Sequence, residues 1–117
     1  MASVQRVWYT GVRAQTFIMM ENQRMDTTEI ASKWESGGYA VERISKPAHL
    51  TAQPHSHPFD ARVLILAGAF TLTSQGQSRT FYPGEHFEVA AGCMHSQQYG
   101  PEGTTFLIAR KHSPIEV

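Results

Sequence analysis

Cysteine, long apolar runs and any excess of charge are nearly absent from this sequence. The 117 residues include one cysteine, Cys93, so no disulfide can form within the chain and nothing requires an oxidising compartment. Ten basic and ten acidic residues cancel, which removes the electrostatic basis for binding nucleic acid or an anionic membrane. The longest apolar run, VLILAGAF, is far shorter than a membrane span. We predict a cytoplasmic protein with no nucleic-acid and no membrane partner.

The first twenty residues differ in composition from the rest. They contain Arg6 and Arg13 but no acidic residue, and their apolar residues are scattered rather than joined in a secretory hydrophobic stretch. The chain length fits one domain. We predict that residues 1–20 form an N-terminal arm, either disordered or swapped onto a partner, and that residues 21–117 form one barrel domain.

One segment, MDTTEIASKWESGG, has the signals of a short helix. Asp26 is a candidate cap for the first turn, with Glu29 three residues on as its capping-box partner. Ile30 and Trp34 lie four apart, so they share a face that can pack on a core. Gly37–Gly38 supplies the left-handed stop.

The remainder consists of short extended segments separated by turn signals. Gly or Pro recurs every few residues between β-favouring runs such as YAVERI, RTFY, HFEVA and TTFLIARK. This pattern predicts an all-β sandwich or barrel rather than alternating strands and helices. The densest runs are ARVLILA and AFTLT, on either side of Gly68.

The run ARVLILA is apolar on both of its faces. In a regular strand Ala61, Val63 and Ile65 share one face, while Leu64 and Leu66 share the other. A strand of this kind is covered on both sides. We expect the barrel interior on one side and a second sheet or a partner subunit on the other. Together with the N-terminal arm, this predicts a homodimer.

Two histidines, His55 and His57, stand one residue apart between prolines. In an extended segment residues i and i+2 point the same way, so both imidazoles can face one metal ion. Taken alone, the pair is a weak signal for metal and is more typical of a proline-flanked loop with solvated histidines. A third histidine, His95, follows about forty residues later, after a Pro-Gly turn, a strand and a bend at Gly92.

The two histidine segments together resemble the paired motifs of the cupin family. The stretch HSHPFDARVLILAG, residues 55–68, resembles the first motif, and GEHFEVAAGCMH, residues 84–95, resembles the second. The second motif departs at Ala90, where proline is common. The resemblance spans residues 40–110 and implies a double-stranded β-helix, or jelly-roll, barrel with one short N-terminal helix.

By this resemblance His55, His57 and His95 are the ligands of one divalent transition metal, such as iron, manganese, nickel or zinc. The glutamate of the family pattern is missing, because its place falls on Ala61. Three alternatives remain open. The site holds metal through three histidines alone, Asp60 reaches back as a fourth ligand, or the site has lost its metal. With three neutral ligands the charge of the ion is uncompensated, which favours an anionic or chelating substrate.

The resemblance leaves the activity open between two classes. One is a metal-dependent oxidoreductase, similar to a dioxygenase, acting on a small chelating molecule. The other is a non-enzymatic barrel that binds or senses a small molecule, with or without metal. Further candidates for orienting the ligands or touching the substrate are Gln53, Arg62, His86, Gln97 and Tyr99.

Overall fold

The computed structural model describes residues 3–9, 12–17 and 27–112. Within these ranges the chain forms eight β-strands and one α-helix, which confirms the prediction of an all-β fold with one short helix. The elements, in chain order, are β1 (Ser3–Tyr9), β2 (Val12–Phe17), α1 (Thr27–Ser36), β3 (Ala40–Lys46), β4 (Thr51–His55), β5 (Phe59–Ser74), β6 (Gln77–Phe81), β7 (Glu85–Val89) and β8 (His95–His112).

Two long antiparallel strands, β5 and β8, form the centre of the barrel. Their ladder extends from the pair Phe59–His112 to the pair Thr73–Ser96. The first half of β5 also pairs with β7, and its second half pairs with β6. In the same way β8 pairs with β4 near its start and with β3 near its end. The two long strands therefore belong to both layers of the barrel.

The inward-facing positions of β5 change partway along the strand. Val63 and Ile65 belong to the interior cluster in the first half, and Phe70 and Leu72 belong to it in the second. The change from odd to even positions falls across residues 65–70, where the pairing with β8 is irregular. Bulges of this kind bend a strand and turn its side chains to the other face.

Gly68 lies at this bend and meets the backbone of Gly103. Its φ is +78°, and a Cβ built on it would overlap the carbonyl oxygen of Gly103. Only glycine fits there. ARVLILA and AFTLT, which flank Gly68 as two runs in the sequence, are therefore one bent strand.

The helix α1 covers the outer face of β5 and β8. Trp34 is buried with Leu64, Leu107 and Ala109, and Ile30 packs against the same cluster. The expectation that Ile30 and Trp34 share a packing face is confirmed. The cover of this outer face is the helix rather than the second sheet or partner subunit that we expected from the sequence.

The helix ends as predicted. Gly38 has a φ of +93°, and the Tyr39 amide donates to the Trp34 carbonyl at 3.1 Å. The predicted cap, Asp26, lies outside the described residues. Within the described part of the chain, no helix is long and apolar enough to cross a membrane.

Strands β1 and β2 lie inside the predicted N-terminal arm. They pair with each other, and β2 pairs with β7 of the same chain. The domain boundary at residue 21, the exchange of the arm with a partner and the homodimer stay predictions.

Candidate metal centre

The three predicted histidines come together at one end of the barrel. His55 closes β4 and His95 opens β8, where the two are direct register partners. His57 follows in the connection to β5. The ring centres form a nearly equilateral triangle, with His55 4.8 Å from His57 and 4.5 Å from His95, and His57 4.8 Å from His95.

Two of the rings are fixed by backbone carbonyls. The Nδ1–H of His55 donates to the Gln53 carbonyl at 2.6 Å, and the Nδ1–H of His95 donates to the Cys93 carbonyl at 2.9 Å. A carbonyl can only accept, so each Nδ1 carries a proton, and Nε2 is the nitrogen of each ring that can bind a metal. Backbone carbonyls orient histidine ligands in this way in known metal sites.

The third ring, His57, is positioned by stacking on Phe59. The two ring centres are 4.6 Å apart and their planes differ by 14°. Burial, followed by the neighbouring His95, His55 and Arg110, lowers the pKa of His57 from 6.5 to about 4. Burial also lowers the pKa of His95. Both rings are therefore neutral at pH 7, as a metal ligand must be.

The spacing of the rings fits one transition-metal ion. An ion about 2.1 Å from a nitrogen of each ring lies about 3.2 Å from the ring centres, which then stand roughly 4.5 to 5.2 Å apart. The observed sides of 4.5 and 4.8 Å fall in this range. One ligand atom from each residue lies within 4.8 Å of the others, which is close enough for the three residues to hold one ion.

A cavity of about 280 Å³ lies beside His57 and His95 inside the barrel. Its walls are mainly aliphatic and aromatic, with Ala61 among them. The other polar residues that line it are Lys46, Gln97, Tyr99 and Arg110. An apolar pocket with a few polar groups is typical of a small-molecule site.

Gln97 and Tyr99 form a hydrogen-bonded pair in the cavity wall. The Nε2 of Gln97 donates to the Tyr99 hydroxyl at 2.6 Å, and burial raises the pKa of Tyr99. The phenol is therefore neutral at pH 7. Because its oxygen accepts from Gln97, its own O–H is available to donate to a bound molecule.

The structure places Asp60 away from the three histidines. Its Oδ1 accepts from the Ala91 amide at 2.8 Å, and it is not part of the group whose ligand atoms converge. The carboxylate thus holds the turn that leads to His95. This arrangement argues against Asp60 as a fourth ligand, and it leaves open both a three-histidine metal site and a site that has lost its metal.

Two other candidates lie on the outer face of the barrel. Arg62 forms an ion pair with Glu88, its cross-strand partner, at 2.6 Å, and its guanidinium lies over the Tyr39 ring. His86 is buried under α1 with its ring 6.0 Å from the Trp34 ring. Neither residue lines the cavity.

The remaining candidate, Gln53, contributes its backbone rather than its side chain, which is exposed. Phe59, Lys46 and Arg110 also lie at the site and were not predicted from the sequence as site residues. An aromatic residue two positions after His57 was the signal for Phe59. No local signal marks Lys46 or Arg110, because β3 and the end of β8 reach the cavity only through long-range pairing.

No family model matches this sequence, and no curated protein matches it. Many solved structures match its fold. An RmlC-like cupin from Shewanella frigidimarina is 13% identical with a TM-score of 0.58, covering 95% of this chain and 85% of that one. KdgF from Halomonas sp. is 14% identical with a TM-score of 0.55, covering 94% and 89% respectively.

The DMSP lyase DddQ from Ruegeria pomeroyi is 24% identical to this chain with a TM-score of 0.59. The match covers 68% of this chain but only 41% of the lyase. At identities this low, the similarity to all three structures concerns the fold alone.

Proposed function

We propose that this chain, which has the cupin fold, holds one divalent transition metal ion through His55, His57 and His95 and binds a small molecule beside it. The observation that carries the proposal is the convergence of three imidazoles, two of which are oriented by backbone carbonyls. Iron, manganese, nickel and zinc all suit such a ligand set.

His55, His57 and His95 would hold the ion, and with only three protein ligands a bound molecule in the cavity could supply further ones. When bound there, the metal would supply either Lewis-acid polarisation of a chelated substrate or activation of O₂. The chain itself supplies mainly apolar walls around the bound molecule. It also supplies the Tyr99 hydroxyl, which can donate a hydrogen bond to that molecule. These features support a metal-dependent oxidoreductase acting on a small chelating molecule.

The second candidate is a barrel that binds its small molecule without transforming it. The mainly apolar wall favours this alternative, because it offers few groups for proton transfer. The Gln97–Tyr99 pair favours the enzyme, because a polar group oriented into the cavity can position a substrate. One similar structure is named as a lyase, so this fold can host an enzyme.

Elemental analysis of protein prepared without a histidine tag or chelator tests the proposed metal site. We expect about one transition-metal ion per chain in the wild type and a large loss in His57→Ala, because one of three ligands is removed. His49→Ala is the matched control, since His49 is exposed and outside the cluster. Equal, sub-stoichiometric metal in all three proteins would refute the metal site.

Oxygen uptake by the metal-loaded protein then separates the two candidates. Thiols and diketones are suitable first substrates because both chelate transition metals. Uptake that depends on the substrate and disappears in His57→Ala supports the enzyme. Tight binding of the same compounds without uptake supports the binder.

A further inference from the structure

The wall of the cavity carries positive charge and no negative charge. Lys46 and Arg110 both line it, and none of the described residues that line it is Asp or Glu. The three histidines are neutral ligands, so a divalent ion at the site would add two more positive charges without compensation. A cavity of this kind, with apolar surroundings that weaken screening, favours an anionic occupant.

Arg110 reaches the cavity beside an unusually small neighbour. It is the direct register partner of Ala61 on β5, so the two side chains project from the same face of the sheet. Ala61 is only 4% exposed, and the residue on its other side, Val89, also lines the cavity. Ala61 lines the same cavity, and its short side chain takes up little of the space there. The Arg110 guanidinium lies over the Phe59 ring, 5.8 Å from the ring centre, and Phe59 in turn stacks on His57.

The Arg110 guanidinium also forms an ion pair with Glu42 at the rim of the cavity. Its Nη1 donates to the Glu42 carboxylate at 2.9 Å, and the Glu42 side chain is 59% exposed at the rim. A guanidinium has five N–H donors in a planar fork, so a second carboxylate can be bound in addition to Glu42. The charge of Arg110 is close enough to His57 to contribute to lowering the pKa of that ring.

We propose that Arg110 is the anchor for a carboxylate on the small molecule, and that this carboxylate lies in the cavity beside Ala61, while the rest of the molecule extends toward the three-histidine metal centre that lines the same cavity. The ligand class is therefore a small carboxylate with an apolar body. The cavity volume, about 280 Å³, equals that of about nine water molecules. This inference rests on the proposed metal site and adds the class of molecule that it takes.

The test measures binding of mandelate to the Co(II)-loaded protein by calorimetry and by the Co(II) absorption spectrum. Mandelate has a chelating 2-hydroxycarboxylate and an apolar ring, and mandelamide is its uncharged counterpart of similar shape. We expect mandelate to bind at least tenfold more tightly than mandelamide and to change the Co(II) spectrum. We expect Arg110→Gln to weaken mandelate binding by about 10- to 100-fold while leaving mandelamide binding unchanged, because a charge-assisted hydrogen bond is lost.

Two further variants separate an anchor from a residue that only supports the fold. Arg110→Lys keeps the charge and should recover part of the affinity lost in Arg110→Gln. Glu42→Gln breaks the surface ion pair but keeps Arg110, so it should bind mandelate at least as tightly as the wild type does. If Arg110 mattered only because its ion pair with Glu42 supports the fold, Glu42→Gln would weaken mandelate binding as much as Arg110→Gln does.

Arg43→Gln is the matched control for loss of one positive charge. Arg43 is exposed and neighbours Glu42 on β3, where successive side chains point to opposite faces. It should bind mandelate as the wild type does.

The outcomes distinguish the inference from the proposed function. If the wild type takes up Co(II) but binds mandelate and mandelamide equally, or if Arg110→Gln binds mandelate as the wild type does, the carboxylate anchor is refuted and the metal site stands. If the wild type takes up no Co(II), the proposed function fails and the inference that rests on it fails too.

Discussion

His55 and His95 are direct partners across the β4–β8 ladder, with ring centres 4.5 Å apart, although forty positions separate them in the sequence. Strand pairing, rather than a flexible loop, sets the distance between these two rings. Each ring is also tied to the carbonyl two residues before it, at Gln53 and at Cys93. Two of the three proposed ligands are thus in position before any metal binds, which reduces the entropic cost of binding it.

The first prediction concerns Asp60. Because its carboxylate accepts from the Ala91 amide, Asp60→Asn should leave the affinity for metal unchanged. Asparagine retains an acceptor oxygen, so the free energy of unfolding should fall by no more than about 1 kcal/mol. Metal titration and urea unfolding of the variant measure both quantities. A tenfold or greater loss of metal affinity would show that Asp60 is a ligand after all.

The second prediction concerns the bend in β5. Gly68→Ala should lower the free energy of unfolding by about 3 to 5 kcal/mol, because a positive φ and an overlap with the Gly103 carbonyl act together. Gly76→Ala is the matched control. Gly76 has a similar φ of +77°, but nothing lies within 4 Å of the position that a Cβ would take. This substitution should therefore lower the free energy of unfolding by only about 1 to 2 kcal/mol. If urea unfolding shows the same loss of free energy of unfolding for Gly68→Ala and Gly76→Ala, the close approach of Gly103 to Gly68 is unimportant.

The third prediction concerns the helix. Trp34→Ala should lower the free energy of unfolding by about 3 to 5 kcal/mol, because the indole is only 6% exposed between α1 and the outer face of β8. Metal stoichiometry should be unchanged in the folded variant, since α1 lies on the opposite side of the sheet from the histidines. Lys33→Ala, at an exposed position of the same helix, is the control. Loss of metal from folded Trp34→Ala would contradict the separation of the two faces.

The fourth prediction concerns the pH dependence of stability. Burial, and then the charge of Arg62, lowers the pKa of His86 from 6.5 to about 4. Between these values the unfolded chain binds a proton that the folded chain does not, so stability is lost as the pH falls from 6.5 toward 4. Between pH 7 and pH 5 the free energy of unfolding of His86→Leu should therefore fall by about 2 kcal/mol less than that of the wild type.

This comparison is made by urea unfolding in the presence of a chelator, so that metal does not contribute. Wild-type and His86→Leu stabilities that fall in parallel between pH 7 and pH 5 would show that His86 is not the group responsible.

The sequence predicts the strands and the fold class well, because turn residues and β-favouring runs alternate along most of the chain. It does not reveal that β5 and β8 are continuous through their bends. A glycine that ends a strand and a glycine that bends one, such as Gly68, look alike locally. Which of the two applies depends on the backbone of Gly103, which reaches Gly68 only in the folded barrel.

The sequence also predicts that His55, His57 and His95 come together, because each of them lies in a short motif that can be recognised without the fold. The role of Asp60 and the presence of Arg110 could not be predicted in the same way. Asp60 meets Ala91, and Arg110 meets Ala61, only through contacts between distant segments. The outer cover of β5 was missed for a related reason. The apolar face shows that a cover is needed but does not say which element supplies it.

The most direct test of the central claim is a calorimetric titration of the metal-free chain with Co(II). The wild type should bind one Co(II) ion per chain, and His95→Ala should show no saturable binding over the same concentration range, because two imidazoles cannot replace three. His112→Gln, altered at an exposed histidine outside the cluster, should bind one ion as the wild type does. A wild type without saturable binding, or a His95→Ala variant that binds Co(II) equally well, would contradict the three-histidine metal centre.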